Sequence, residues 1–162
     1  MIKLNTRVKI CAVAMFAIVI VSGCKKAADT NTPEKEALAI ANWLDAMVKN
    51  KSNIDTTSTG LFYIVDKAGT GATVKTGDAL TVQYTGKFLD GKVFDSSASF
   101  SYVHKAAGQR MIQGWEEGIE VMKKGESAVF LIPSAKAYGT DGNSVIPPYT
   151  PLIFEIGVID IK

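Results

Sequence analysis

The sequence predicts an α+β fold, an antiparallel β-sheet with one short helix packed across a face. Three observations predict it. Leu80, Val82 and Tyr84 alternate with Thr81, Gln83 and Thr85, the period-2 pattern of a strand with one buried face. Apolar runs at 61–65, 128–132 and 152–161 read as further strands, divided by turn-rich stretches such as Lys67-Ala68-Gly69-Thr70-Gly71 and Asp90-Gly91. Among them only one stretch, about 111–122, has helical spacing, with Trp115, Ile119 and Met122 on its inner side. Glu116, Glu117 and Glu120 then fall on the opposite side and are expected to be solvated.

The segments ahead of the sheet have other uses. Lys3, Arg7 and Lys9 precede an apolar run at 10–21, too short to span a bilayer comfortably but suited to the core of a secretory signal. The run ends in Val21-Ser22-Gly23-Cys24, which resembles the bacterial lipobox and implies cleavage after residue 23 and lipidation of Cys24. The cysteine count agrees. Cys11 would leave with the signal, so Cys24 would be a lone thiol, and acylation blocks it. More than one acyl chain there would anchor the protein stably to a membrane. The expected location is the bacterial cell envelope, facing the periplasm.

Residues 24–33 read as the lipidated cysteine and a small, polar tether. Thr32-Pro33-Glu34 then starts a helix, with Thr32 as N-cap, proline in the first turn and acidic residues near the positive end. Ala37, Ile40, Ala41, Leu44, Met47 and Val48 recur at helical spacing to about residue 51. This stripe either packs on the chain's own domain or belongs to a helix that forms a homodimer through residues 34–51 or serves as a domain spacer. The helix and its linker occupy 34–57, and the sheet domain 58–162.

Composition removes several classes of function. Of 18 cationic residues, Lys3, Arg7 and Lys9 go with the signal, leaving 15 against 16 acidic ones and no basic patch for nucleic acid. The single histidine, His104, has no serine in a nucleophile setting and is expected in a loop or at a strand edge. No His/Cys cluster or calcium-loop spacing calls for a metal, and no phosphate-binding loop is present. What remains is aromatic and aliphatic, the inventory of an apolar pocket or of a plain core.

Six motifs decide between them. Val82-Gln83-Tyr84-Thr85-Gly86, Asp90-Gly91-Lys92-Val93-Phe94-Asp95-Ser96-Ser97 and Met111-Ile112-Gln113-Gly114-Trp115-Glu116-Glu117-Gly118 come first. Ala137-Tyr138-Gly139 and Val145-Ile146-Pro147-Pro148, with Leu152-Ile153-Phe154, follow in order. Together they resemble the FK506-binding-protein (FKBP) type of peptidyl-prolyl cis–trans isomerase over roughly residues 58–162. The resemblance implies a curved antiparallel sheet wrapped around the short helix, with the active pocket between them and no cofactor or metal. Substrates would be proline-containing polypeptides, and FK506- or rapamycin-like ligands would fit the same site. The alternative is a peptide-binding chaperone module of the same fold with little turnover.

By the same resemblance Trp115 is the pocket floor, with one indole face open, and Tyr84, Phe94, Ile112 and Phe154 are its walls. Tyr138 offers a hydroxyl to a ligand carbonyl, the Ile112 N–H anchors a second carbonyl, and Asp95 is the carboxylate at the edge. Met111, Val145 and Ile146 line the rim, and Tyr102 takes a wall position usually held by phenylalanine. Two segments depart from the family pattern. The loop 97–101 is short and uncharged, which leaves Asp95 without a basic partner. The loop 140–144 is one residue shorter, with Asn143 near a position often held by histidine.

Overall fold

The computed structural model describes residues 31–108 and 111–162. Helix α1 (Pro33–Lys49) is followed by strands β1 (Asp55–Thr56), β2 (Phe62–Lys67), β3 (Ala79–Phe88) and β4 (Val93–Val103). Helix α2 (Gln113–Glu120), β5 (Ser127–Ile132), a 3₁₀ turn (Ser134–Lys136) and β6 (Leu152–Ile161) complete the order. One six-stranded sheet runs β1-β2-β5-β6-β3-β4, and every pairing in it is antiparallel. The predicted fold class holds.

Alternation places the core as expected. Leu80 and Val82 of β3 are buried, as are Ala128, Phe130 and Ile132 of β5 and Leu152, Phe154 and Ile156 of β6. Trp115, Ile119 and Met122, on and just after α2, close over this surface, each at most 1 % exposed. Two glycines let the helix approach. A Cβ at Gly114 would fall on Ile132 Cγ2, and one at Gly118 would lie 2.9 Å from the Phe130 ring. Glycine costs an exposed helix roughly 0.5–1 kcal/mol, and here that cost secures close packing. Gly114→Ala is therefore expected to destabilise the protein by about 1–3 kcal/mol, the usual range for overpacking. A urea midpoint equal to wild type would show that the helix can shift freely.

Strand β4 corrects the sequence reading, because residues 97–101 are strand, not loop. Val82 pairs with Phe100 but Tyr84 with Ser97, so β4 carries an extra residue there; a second shift lies between Gly86 and Lys87 of β3. Such bulges break the period-2 pattern and bend the strand, so a serine-rich run without clean alternation still pairs along its length. Residues 55–56, assigned to the linker, add a short edge strand against Phe62 and Tyr63.

Helix α1 begins as expected, the Thr32 side chain accepting from the Lys35 N–H at 3.3 Å with Pro33 in the first turn. Its apolar stripe is only partly covered, however. Ile40, Leu44 and Met47 are half-buried, Ala37, Ala41 and Val48 are exposed, and no α1 residue is fully buried. Polar contacts tie this segment to the sheet domain. The Glu36 carboxylate accepts from the Ser134 N–H and hydroxyl, both at 2.6 Å, and Asn31 donates to Thr150 at 2.9 Å. No helix among the described residues is long and apolar enough to cross a membrane. The signal, the tether to residue 30 and Cys24 lie outside the described residues.

Candidate active site

Three strands converge on Trp115. Its ring meets Tyr84 of β3 at 5.2 Å and Phe154 of β6 at 5.4 Å, both edge-to-face at 87°. Phe94 of β4 stands edge-on to Phe154 at 5.6 Å, completing a wall. Gly86 makes room for it, since a Cβ there would lie 2.7 Å from Phe94 and 3.0 Å from Phe154. Met111, Ile112 and Tyr138 are half-buried and pack against the same cluster. The structure thus brings the predicted floor and walls together. The open indole face is not observed: Trp115 is 1 % exposed because its neighbours' rings cover it.

Tyr102 sits deeper than a wall residue. It is 5 % exposed, and its hydroxyl accepts the Trp115 Nε1–H at 2.8 Å, so it fixes the indole from beneath. Burial, with the Glu116 charge adding to it, pushes the phenol's pKa up against the opposing effect of that hydrogen bond. Phe100, absent from the sequence reading, is the half-buried ring two residues earlier. It stacks on Tyr102 at 5.4 Å and meets Tyr84 at 5.9 Å. An aromatic pair two residues apart was the available signal. Ile146 is likewise core at 1 % exposed, whereas Val145 is 58 % exposed at the rim.

Asp95 has partners without a basic residue. Its Oδ2 accepts the Tyr84 hydroxyl at 2.8 Å and its Oδ1 the Ser96 N–H at 2.9 Å. Burial first, then this bond and the nearby Asp95 and Tyr138 charges, pushes the Tyr84 pKa up to about 12. The phenol thus stays a neutral donor at physiological pH. A raised folded pKa means that Tyr84's contribution to stability is complete below about pH 10 and is lost as pH rises through about 12. An ultraviolet titration comparing wild type with Tyr84→Phe is expected to lose one phenol with a midpoint near 12. A missing phenol titrating near 10 would contradict the Asp95 bond.

The loop after Tyr138 is closed by its own backbone. Asn143 Oδ1 accepts the Val145 and Ile146 N–H groups, each at 2.7 Å, and its N–H reaches Ile146 O at 2.7 Å. Asn143 is thus a turn-forming residue. Gly142, at φ +65° and hard against the Ile146 carbonyl, has no room for a side chain. At the other side of the site Ile112 ends an extended segment at φ −63°, ψ 148°, and its carbonyl accepts the Trp115 N–H at 3.0 Å. Its own N–H has no partner among the described residues.

The glutamates of α2 are engaged rather than solvated. Glu117 accepts from Lys136, Gln113 and Thr59, all at 2.6 Å. Burial raises its pKa, but these donors outweigh that and leave it lowered. Glu120 accepts from Lys105 at 2.6 Å, which holds its pKa down. Glu116 Oε2 lies 2.5 Å from His104 Nδ1. His104 lies in the turn just after β4, a loop position as expected, but it is 0 % exposed beneath α2. These side chains position the helix.

Among the described residues, two hollows in the surface bear on the site. One of about 620 Å³ lies over Gln83, Thr85, Ser127 and Glu155, on the polar side of the sheet and apart from Trp115. The other, about 550 Å³, adjoins Phe94 and Val145. The Trp115 ring lies apart from the first hollow, and Ile112 and Tyr138 pack against the aromatic cluster around it. No group of three or more His, Cys, Asp or Glu side chains that could hold a metal occurs among the described residues.

This fold and site define a class. Residues 71–159 match the family of FKBP-type peptidyl-prolyl cis-trans isomerases. The chain belongs to that family. Among its relatives it is 40 % identical over 111 residues to a probable FKBP-type isomerase of Haemophilus influenzae, an overlap of 68 % of this chain and 46 % of that one. To the isomerase FkpA of Escherichia coli K12 it is 36 % identical over 138 residues, 85 % of this chain and 48 % of the relative. The crystal structure of Escherichia coli FkpA superposes with a TM-score of 0.66 at 34 % identity, covering 80 % of this chain and 62 % of that one. An isomerase structure from Pseudomonas syringae gives 0.65 at 28 % identity, covering 82 % and 98 %. The chain spans about half the length of the curated relatives it matches.

Proposed function

We propose that the protein accelerates rotation about X–Pro bonds in polypeptides that fold outside the cytoplasm. The observation that carries this reading is the Trp115 cluster, walled by aromatic rings, with the Ile112 N–H, unpartnered among the described residues, at its edge. Amide resonance sets a barrier of about 18–20 kcal/mol to rotation. The twisted transition state has lost that resonance and is less polar than the planar amide. A site of Tyr84, Phe94, Trp115 and Phe154 rings removes water from the bond and disfavours the planar form more than the twisted one. The Ile112 N–H and Tyr138 hydroxyl can hold the flanking carbonyls while the central bond turns, adding affinity specific to the transition state. Each ~1.4 kcal/mol taken from the barrier is a tenfold gain in rate. No covalent step or proton transfer is involved.

Lipid on Cys24 would hold the protein at the bacterial envelope, and the signal-like residues 1–23 support that location. FK506- or rapamycin-like ligands would occupy the same cluster. A homodimer through residues 34–51 would cover Leu38 and Val48, which the sheet domain leaves exposed. A protease-coupled assay on a proline tetrapeptide tests the activity. Wild type is expected to exceed buffer clearly, with Asp95→Val and Phe94→Tyr each slowed roughly tenfold, the loss of ~1.4 kcal/mol of transition-state binding. Rates equal to buffer, with peptide still bound, would make the protein a peptide-binding module.

A further inference from the structure

The N-terminal segment is pinned to one end of the sheet. Asn31 donates to the Thr150 hydroxyl at 2.9 Å, and Glu36 accepts from the Ser134 N–H and hydroxyl at 2.6 Å. Thr150 lies two residues before β6 and Ser134 two after β5, where Ile132 pairs with Leu152. The Trp115 site is at the same end: Phe154 follows Leu152 by two residues and Phe94 packs on it. Asn31 itself borders the hollow that adjoins Phe94. The other end is distant. Strand β6 runs nine residues from Leu152 to Ile161, about 30 Å at ~3.3 Å each, and there Lys162 bonds the Ala79 backbone.

Chain length limits how this end can sit above an anchor. Residues 24–30 lie outside the described residues, but their number is fixed. Seven steps separate Cys24 from Asn31, and an extended chain gains at most ~3.6 Å per step, a reach of about 25 Å. A compact domain of roughly 130 residues has a radius of gyration of about 14 Å and measures about 36 Å across. With Cys24 acylated in a bilayer, the far end of the sheet cannot come down onto the lipid. The whole domain would then have to fit beneath Asn31, and the tether is shorter than the domain.

We propose that the Trp115 end of the molecule faces the lipid bilayer, and that the site acts on prolines in polypeptide segments lying at the membrane surface. The inference rests on the isomerase reading and on the acylated Cys24 proposed above, and it adds the orientation and the substrate class. The exposed groups at this end fit a lipid surface. Val93 and Val145 are 49 % and 58 % exposed, apolar groups suited to the headgroup boundary. Asp90 and Lys92 share the adjoining turn, so their charges select no anionic lipid over a neutral one. The short tether sets the orientation.

The test uses the acylated protein in phosphatidylcholine vesicles that carry an acceptor dye on a lipid headgroup. Lys92→Cys, between β3 and β4, and Lys162→Cys, at the far end, are both exposed positions and each supply one free thiol for a donor dye. Energy transfer is expected to be about twofold stronger from residue 92 than from residue 162, given the ~30 Å between the two ends. A flexible Gly/Ser insertion of about thirty residues after Ala28 spans roughly 30 Å on average and is expected to abolish that difference. The substrate class is read from a peptide acylated beside its proline on the same vesicles, against the unacylated peptide. The ratio of the two isomerisation rates is expected to fall about tenfold on insertion, as effective concentration falls with linker length. Equal transfer from both positions, or a difference that survives the insertion, overturns the orientation, and a rate ratio that the insertion leaves unchanged overturns the substrate class. If mass spectrometry finds Cys24 without lipid, the anchor reading fails and this inference with it. A rate on the unacylated peptide no faster than buffer overturns the isomerase reading instead, and energy transfer still decides the orientation.

Discussion

Trp115→Ala is expected to lower the unfolding free energy by about 3–5 kcal/mol, the usual cost of truncating a buried aromatic, and to abolish isomerase activity. The indole is 1 % exposed and touches Tyr84, Tyr102 and Phe154, so its removal opens a cavity bordered by three elements. Total stability in domains is about 5–15 kcal/mol, and this change takes a large part of it. Trp115→Phe separates packing from polarity. It keeps most of the apolar volume but withdraws the Nε1–H from the Tyr102 hydroxyl, a group only 5 % exposed. About 1–2 kcal/mol should go with that bond, while measurable activity remains. Urea denaturation and the peptide assay on both variants check the two quantities. If Trp115→Phe were as damaging as Trp115→Ala, the indole–Tyr102 bond rather than the ring would be the main support.

How far the sequence could be read follows from the same contacts. Strands with clean alternation were legible, as were the helix through Trp115 and the N-cap at Thr32, because each follows a local period or a local cap. Strand β4 was not, since its two bulges break the period and its serines carry no apolar signal. That failure also displaced the site: with the register of β4 unknown, Tyr102 stood for a wall that Phe100 occupies in space. The glutamates of α2 were read as solvated because helical spacing alone puts them opposite Trp115. What overrides that placement comes from elsewhere in the chain, in Thr59, His104, Lys105 and Lys136. The stripe on α1 was legible as an apolar face, but no local rule says which surface covers it.

Glu116→Ala is expected to cost about 3 kcal/mol, although helical spacing alone puts the residue opposite Trp115 on a short helix. The reason is His104, 0 % exposed with Nδ1 2.5 Å from Glu116 Oε2 and Nε2 3.4 Å from Glu120 Oε1. Neither Nδ1 nor Glu116 Oε2 has another partner among the described residues. Truncating the carboxylate leaves a ring nitrogen in a dry interior with nothing to meet it, and breaking a buried pair from one side typically costs ~3–5 kcal/mol. Glu120 is different: its side chain is 37 % exposed and shared with Lys105, so Glu120→Ala should cost under about 1 kcal/mol. A double-mutant cycle on His104→Leu and Glu116→Leu separates pairing from packing. The double variant is expected to be more stable than either single one, because the apolar pair leaves no group stranded. Additive losses would mean that the two side chains act independently. Activity should fall with stability in the single variants, since Glu116 adjoins Trp115 and the first turn of α2 carries both the pocket floor and the segment that presents the Ile112 N–H.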